Sequence, residues 1–218
     1  MIRAVLFDLD GTLANSLADL AAATNLALEK FGFPPQPVEA FKMFAGNGIP
    51  KMLERALPPQ DRTAETVEKC REVFMAYYGE HYADKTAAYD GVPALLGDLK
   101  ARGIKLAVVT NKAQEMADKV VTKLYGDLFD LIIGKRDDLP AKPDPAAAHL
   151  AMRTLGVTPQ ECLFVGDSGV DVKTGANSGA VPVGVLWGFR DRAELSENGA
   201  AYIVEKPSQI LSISEELK

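Results

Sequence analysis

Cysteine is scarce in this chain. Cys70 and Cys162 are the only two in 218 residues, and they stand far apart in unrelated contexts. That excludes a disulfide framework, and both read as buried thiols of a reducing compartment. Positive charge is also short, with 24 Lys and Arg against 30 Asp and Glu and a formal net charge of −6. No basic stripe or cluster stands out, which argues against a nucleic-acid partner. No apolar run reaches bilayer-spanning length, so no membrane association is expected. The N-terminus enters a strand at once, without the basic region, long apolar run and cleavage site of a secretory signal. These absences together predict a cytoplasmic protein. Repeats and low-complexity segments are missing. The two histidines, His81 and His149, fall on expected helices away from every motif and are assigned no metal or acid–base role.

What is present is an ordinary folded composition, 47% apolar and 25% charged. A chain of 218 residues suits one large domain, or a domain carrying a smaller insert. Ala4 to Phe7 is a continuous apolar run, the pattern of a strand buried on both faces of a parallel sheet. Asp8 and Asp10 follow immediately, then Gly11 and Thr12. Two carboxylates this close repel each other unless a cation or donor neutralises them, which suggests a hard metal ion and acid–base or nucleophilic work. The plainer alternative is a strand-to-loop turn in which Asp10 and Thr12 cap backbone N–H groups.

The next seventy or so residues carry only helical patterns. Leu17 to Phe31, Val38 to Phe44, Ile49 to Leu57 and Ala64 to Tyr82 are expected helices, with no convincing strand among them. Such a block is too long for one crossover helix, so residues 14–88 are expected to form a helical cap inserted into an α/β core of residues 1–13 and 89–218. Beyond Tyr89 strands alternate with helices again. Expected strands cover Lys105–Val109, Phe129–Ile133, Cys162–Val165, Pro182–Leu186 and Tyr202–Val204. Expected helices cover Pro93–Arg102, Gln114–Leu124, a segment with Asp144 as N-cap and Pro145 first, Val170–Ser178, and the tail from Pro207. The rhythm predicts a doubly wound, Rossmann-like parallel sheet.

Three of the strands finish on polar groups: Asp8 with Asp10, Thr110 with Asn111, and Asp167 with Asp171. Lys142 lies in the loop after another. Carboxyl ends of parallel strands share one edge, so these residues are expected to converge. Carboxylates for Mg²⁺, an acid able to act as nucleophile, and a lysine with hydroxyl and amide donors form a complete set for phosphoryl transfer. Each member also has a structural alternative. Asp167 and Asp171 can favour a helix N-terminus, Thr110 and Asn111 can be turn residues, and Lys142 can be solvated.

The segments Asp8-x-Asp10-Gly11-Thr12, Thr110-Asn111, Lys142-Pro143-Asp144-Pro145 and Gly166-Asp167-Ser168-x-x-Asp171 resemble, in order, the four motifs of the haloacid dehalogenase superfamily. The resemblance covers nearly the whole chain, and a helical insert after the first motif matches that superfamily's small-cap arrangement. It implies a phosphatase with Asp8 as nucleophile and Asp10 as general acid, then base. It also implies phosphate binding by Thr110, Asn111 and Lys142. Mg²⁺ would be bound by Asp8, the backbone carbonyl of Asp10, and Asp167, with Asp171 supporting through water or from behind the ligands.

Within the superfamily the chain is most similar to phosphoglycolate phosphatases. Asn15-Ser16, Gly46-Asn47-Gly48, Glu54-Arg55-Ala56-Leu57 and Val109-Thr110-Asn111-Lys112 carry that similarity. Ala14 and Ala113 depart from it, where valine and proline are usual. The expected partner is a small phosphorylated substrate, 2-phosphoglycolate first. Pyrophosphatase, nucleotide or sugar phosphatase and phosphomutase are alternatives within the superfamily. A phosphorylation-switch receiver is the alternative outside it. On the cap, Asn47, Lys51 and Arg55 are candidates for reading a second negative group, Lys51 and Arg55 sharing a helix face at i, i+4; a solvated cationic face is the alternative. Tyr77, Tyr78 and Tyr82 read as cap packing. Oligomeric state leaves no mark in the sequence.

Overall fold

The computed structural model describes residues 1–217. The chain opens with β1 (Ala4–Phe7), then β2 (Ala14–Asn15), and continues as α1 (Leu17–Lys30), α2 (Phe41–Phe44), α3 (Ile49–Ala56) and α4 (Ala64–His81) before β3 (Ala87–Ala88). Next come α5 (Val92–Ala101), β4 (Lys105–Ala113), α6 (Gln114–Tyr125), β5 (Leu131–Lys135), α7 (Ala146–Leu155) and β6 (Cys162–Gly166). The chain ends with α8 (Gly169–Ser178), β7 (Val181–Val185), α9 (Arg192–Glu197), β8 (Tyr202–Val204) and α10 (Ser208–Glu216).

Six strands form one parallel sheet in the order β5-β4-β1-β6-β7-β8. β1 lies inside it, with β4 and β6 on either side, so the end of β1 opens where the strand order reverses. That crevice is where open α/β sheets bind ligands. Both faces are covered, as an all-parallel sheet requires. Val5 and Phe7 point with Leu106 and Val108 into a cluster with α5, α6 and α10. Ala4 and Leu6 point with Ala107 and Val109 to the other face, against α7. This two-residue alternation is why the β1 sequence is apolar at every position.

Between β2 and β3 the chain is helical, with short 3₁₀ turns at Val38–Ala40 and Pro59–Asp61. α1 buries Leu17, Leu20, Ala21, Thr24 and Leu28, the stripe its spacing predicts. α4 is capped by Thr63, whose side chain accepts the Thr66 N–H, and buries Cys70, Phe74 and Tyr78 at successive i+4 steps. These helices share an apolar cluster that also takes in Met116 of α6 and Phe189.

Several boundaries differ from expectation. β2 and β3 pair antiparallel, Ala14 with Ala88 and Asn15 with Ala87, at the two ends of the helical block. Two residues per strand are too few to leave a periodic signal. β4 runs on through Thr110 and Asn111, with an irregularity in its pairing to β5 between Val109 and Ala113. α7 begins at Ala146, with Pro145 at the cap. Asp144, the expected N-cap, lies one position before the observed cap, and its Oδ1 still accepts the Ala146 N–H at 2.9 Å. α9, capped by Asp191, has one buried residue, Leu195, and so shows no helical stripe in the sequence. Among the described residues no helix is long and apolar enough to cross a membrane.

Asp19 of α1 ties the start of the helical block to its return. Its carboxylate accepts the Lys85 N–H at 3.0–3.1 Å, the Thr86 N–H at 2.8 Å and the Thr86 hydroxyl at 2.7 Å. Asp19→Ala leaves these donors unpaired and is expected to cost about 1–3 kcal/mol of stability, read from urea unfolding. An unchanged midpoint would contradict the tie.

Candidate active site

Asp8 is the first residue after β1 and is held in the sheet's line by its N–H bond to Val165 O at 2.9 Å. Its side chain is buried beside those of Asp167 and Asp171, and one carboxylate oxygen from each lies within 4.8 Å of the others. Asp167 follows β6. Asp171 is the third residue of α8, where it closes a capping box with Ser168. Its Oδ2 accepts the Ser168 N–H at 3.1 Å and hydroxyl at 2.6 Å. Gly166 leaves the room this needs, because a Cβ there would overlap the Asp171 side chain.

Lys142 is buried and is the cation of this cluster, its Nζ 2.6 Å from Asp171 Oδ1 and 2.8 Å from Asp8 Oδ1. The approach to Asp8 is off the hydrogen-bond direction, so Asp8 Oδ1 is buried without an aligned donor. Asn111 holds the lysine in place: its Oδ1 accepts the Lys142 N–H at 2.8 Å and its Nδ2 donates to Lys142 O at 3.3 Å. Asp167 is gripped by the Phe189 N–H at 2.7 Å and, at 3.3 Å, by the Thr12 hydroxyl. Two glycines admit backbone to this carboxylate, since a Cβ on Gly11, at φ +90°, or on Gly188 would overlap it.

These contacts govern the charges. Burial, then the neighbouring Asp171, pushes Asp8 from an ordinary 3.8 up to about 6, although Lys142 opposes the shift. Burial, Asp171 and Asp8 also hold Asp167 well above the usual carboxylate range, against the Phe189 N–H and Arg190. For Lys142 burial acts to lower the pKa, but Asp171 and Asp8 outweigh it and keep the ammonium charged. Three buried acids facing one lysine leave negative charge in excess. Asp171 takes three donors, one from Lys142 and two from Ser168, whereas Asp167 has one donor on each oxygen and Asp8 Oδ1 has none aligned. This donor set fits a hard divalent cation between Asp8 and Asp167.

Asp10 stands apart from that cluster. Ser16 Oγ donates to its Oδ1 at 2.5 Å, and the buried Lys112 Nζ lies 3.1 and 3.0 Å from its two oxygens. Lys112 was not among the expected site residues. The available signal was its position on β4 two residues after Thr110, which puts both on the same face of the strand. Its charge is secure: burial works to lower its pKa, but Asp10 and Tyr78 more than reverse that. Arg190 is a second residue the sequence did not single out. It donates to Ala45 O at 2.9 Å and pairs with Glu194 at 3.2 Å.

A cavity of about 40 Å³ joins Asp8, Asp10, Thr110, Asn111 and Lys112 to Leu20, Gly46, Gly48, Ile49 and Met52 of the helical block. A wider cleft of about 820 Å³ adjoins it at Gly48, Ile49 and Asn111. Asn47 and Lys51 line the cleft and not the small cavity, and Lys51 is paired with Glu54 at 2.8 Å. Arg55 lines neither; its guanidinium donates to Phe44 O at 2.9 Å and Met43 O at 3.3 Å. The structure therefore brings the core acids, Thr110, Asn111 and Lys142 together and leaves Asn47, Lys51 and Arg55 outside their cavity. His81 stacks on Tyr77, and His149 contacts Ser178 O at 3.2 Å.

The raised Asp8 pKa has a definite sign for stability. Its contribution is fully present below about 3.8 and is lost as pH rises through about 6. In chelator, wild-type stability relative to Asp8→Asn should therefore fall between about pH 4 and about pH 7. A difference that is flat or rises over that window contradicts the arrangement of charges.

The family model for haloacid dehalogenase-like hydrolases matches residues 2–179. The phosphoglycolate phosphatase of Neisseria meningitidis serogroup A is 39% identical over 204 residues, covering 91% of this chain and 86% of that protein. The phosphoglycolate phosphatase of Aquifex aeolicus is 32% identical, covering 98% of this chain and 97% of that one. A crystal structure of a protein from Lactobacillus delbrueckii subsp. bulgaricus superposes with a TM-score of 0.93 at 32% identity, over 97% of this chain and 98% of that one. With its core motifs gathered at the carboxyl edge of the sheet, the chain belongs to the haloacid dehalogenase-like hydrolases.

Proposed function

We propose that this protein is a Mg²⁺-dependent phosphatase that hydrolyses a small phosphate monoester, 2-phosphoglycolate, through an aspartyl-phosphate. The observation that carries the reading is Asp8, buried against Asp167, Asp171 and Lys142 with one oxygen free of any aligned donor. Asp8 is the nucleophile: its carboxylate oxygen bonds to phosphorus as the bond from phosphorus to the leaving oxygen breaks. Asp10 delivers a proton to that leaving oxygen. Asp10 then takes a proton from water as the water's oxygen attacks phosphorus, the Asp8–phosphorus bond breaks, and inorganic phosphate departs.

Thr110, Asn111 and Lys142 face the transferring oxygens, where charge spreads and most stabilisation is required. Asp8, Asp167 and the backbone carbonyl of Asp10 would hold Mg²⁺, with Asp171 fixing Lys142 and the α8 turn behind them. When bound there, the cation would supply positive charge against the acids and the incoming phosphate. Residues 14–88 act as the cap and residues 1–13 with 89–218 as the catalytic core. The small cavity favours a short leaving group. The adjoining cleft carries Lys51, Arg62, Arg71, Lys135 and Arg136 against Glu54 and Asp137, a positive approach on a negative protein that suits an anionic ester. Relatives named phosphoglycolate phosphatase across most of the chain's length support the choice of ester.

The test is phosphate release from a panel including 2-phosphoglycolate, pyrophosphate, nucleotides and sugar phosphates. Turnover is expected to be fastest on 2-phosphoglycolate, to stop in chelator and to return with Mg²⁺. Asp8→Asn should lower kcat by at least about a thousandfold without loss of fold, since it removes the nucleophile. Retained turnover in that variant would exclude the assigned nucleophile, and faster release from another ester would replace the substrate.

A further inference from the structure

Lys112 is the costliest way to fill its place. An ammonium with a side-chain exposure of 3% must replace its whole hydration shell with protein acceptors. It finds three, the two oxygens of Asp10 at 3.1 and 3.0 Å and Tyr78 Oη at 2.8 Å. An ammonium has three protons, so these partners leave none for a substrate. Lys112 therefore acts through Asp10. Tyr78 comes from α4 of the helical block, where it is fully buried and stacked on Phe74 at 5.0 Å. The remaining partner of Asp10, Ser16, sits between β2 and α1, where the chain enters the cap.

The other side-chain hydrogen bonds between cap and site end in comparable places. Asn111, which holds Lys142, also donates from Nδ2 to Gly46 O at 3.2 Å. Arg190, next to the Phe189 N–H that holds Asp167, donates to Ala45 O. Contacts that seat the cap are thus made by residues that orient the site.

We propose that Lys112 and Tyr78 are positioning residues for Asp10, and that the cap completes the acid–base group through them. The inference rests on the phosphatase reading above. Lys112 fixes both carboxylate oxygens, and Tyr78 fixes Lys112 only while α4 is seated. An alkyl phosphate needs a proton on its leaving oxygen as the bond to phosphorus breaks, whereas a nitrophenolate leaves without one. Mispositioning Asp10 therefore penalises the first ester selectively, while a general loss of structure slows both alike.

The experiment compares wild type, Tyr78→Phe and Lys112→Met at saturating Mg²⁺. It reads first-turnover release of glycolate from 2-phosphoglycolate and of nitrophenolate from p-nitrophenyl phosphate. In both variants glycolate release should fall by about tenfold or more, and nitrophenolate release by less than about twofold. Equal losses on the two esters, or no loss on 2-phosphoglycolate in Tyr78→Phe, would overturn the inference. Tyr78→Phe removes one oxygen and decides the matter if Lys112→Met does not fold. If wild type releases neither alcohol, the phosphatase reading falls and this inference with it; equal losses overturn the inference alone.

Discussion

Mutual repulsion among Asp8, Asp167 and Asp171, packed where water cannot screen them, is the constraint on which the surrounding structure depends. For Asp8 and Asp167, burial and like-charged neighbours favour protonation; Lys142 at Asp8, and the Phe189 N–H with Arg190 at Asp167, offset only part of this. Holding such a cluster requires that every acid be restrained by something other than its neighbours. The Phe189 N–H restrains Asp167, Ser168 restrains Asp171, and Asn111 restrains the loop that delivers Lys142. Gly11, Gly166 and Gly188 are small because the carboxylates occupy the space a side chain would take. The excess negative charge is what a divalent cation would offset before an anionic phosphoryl group could approach.

Asp10 lies only two residues from Asp8, yet its charge is managed separately. Its counter-ion is Lys112 and not Lys142, and that counter-ion is shared with Tyr78 of the helical block. Two lysines from different loops and strands thus divide two acids of one short segment. The division suits two chemical duties, since a nucleophile must remain free to bond and an acid must be aimed at the leaving oxygen. The fold makes the division feasible by placing β4 and the loop after β5 on the same edge as β1.

Much of the core was legible because strand ends in a parallel sheet share an edge. Asp8, Thr110, Asn111 and Asp167 are distant in sequence, yet each follows or ends an apolar run, Lys142 lies in the loop after another strand, and the sheet does the rest. The buried thiols were legible too: Cys70 lies in the apolar cluster of the helical block and Cys162 in β6, both free. Lys112 was hidden because a lysine after an asparagine reads as the start of a loop, while β4 continues through it. Lys51 and Arg55 do lie one helical turn apart, but periodicity does not say what the opposite surface offers. Backbone carbonyls and Glu54 take those cations, and on the helical-block side the small cavity is lined only by glycines and apolar residues such as Leu20, Ile49 and Met52. Short elements such as β2, β3 and α9 depend on pairing and packing partners that no local pattern encodes.

The central claim is that Asp8 itself becomes bonded to phosphorus. Rapid acid quenching during turnover with 2-phosphoglycolate and Mg²⁺, followed by mass spectrometry of the peptide spanning residues 4–13, tests it most directly. The account predicts a transient phosphoryl group on Asp8, formed before inorganic phosphate accumulates and absent from Asp8→Asn. Phosphate release with Asp8 never modified, or modification at another residue, would contradict it.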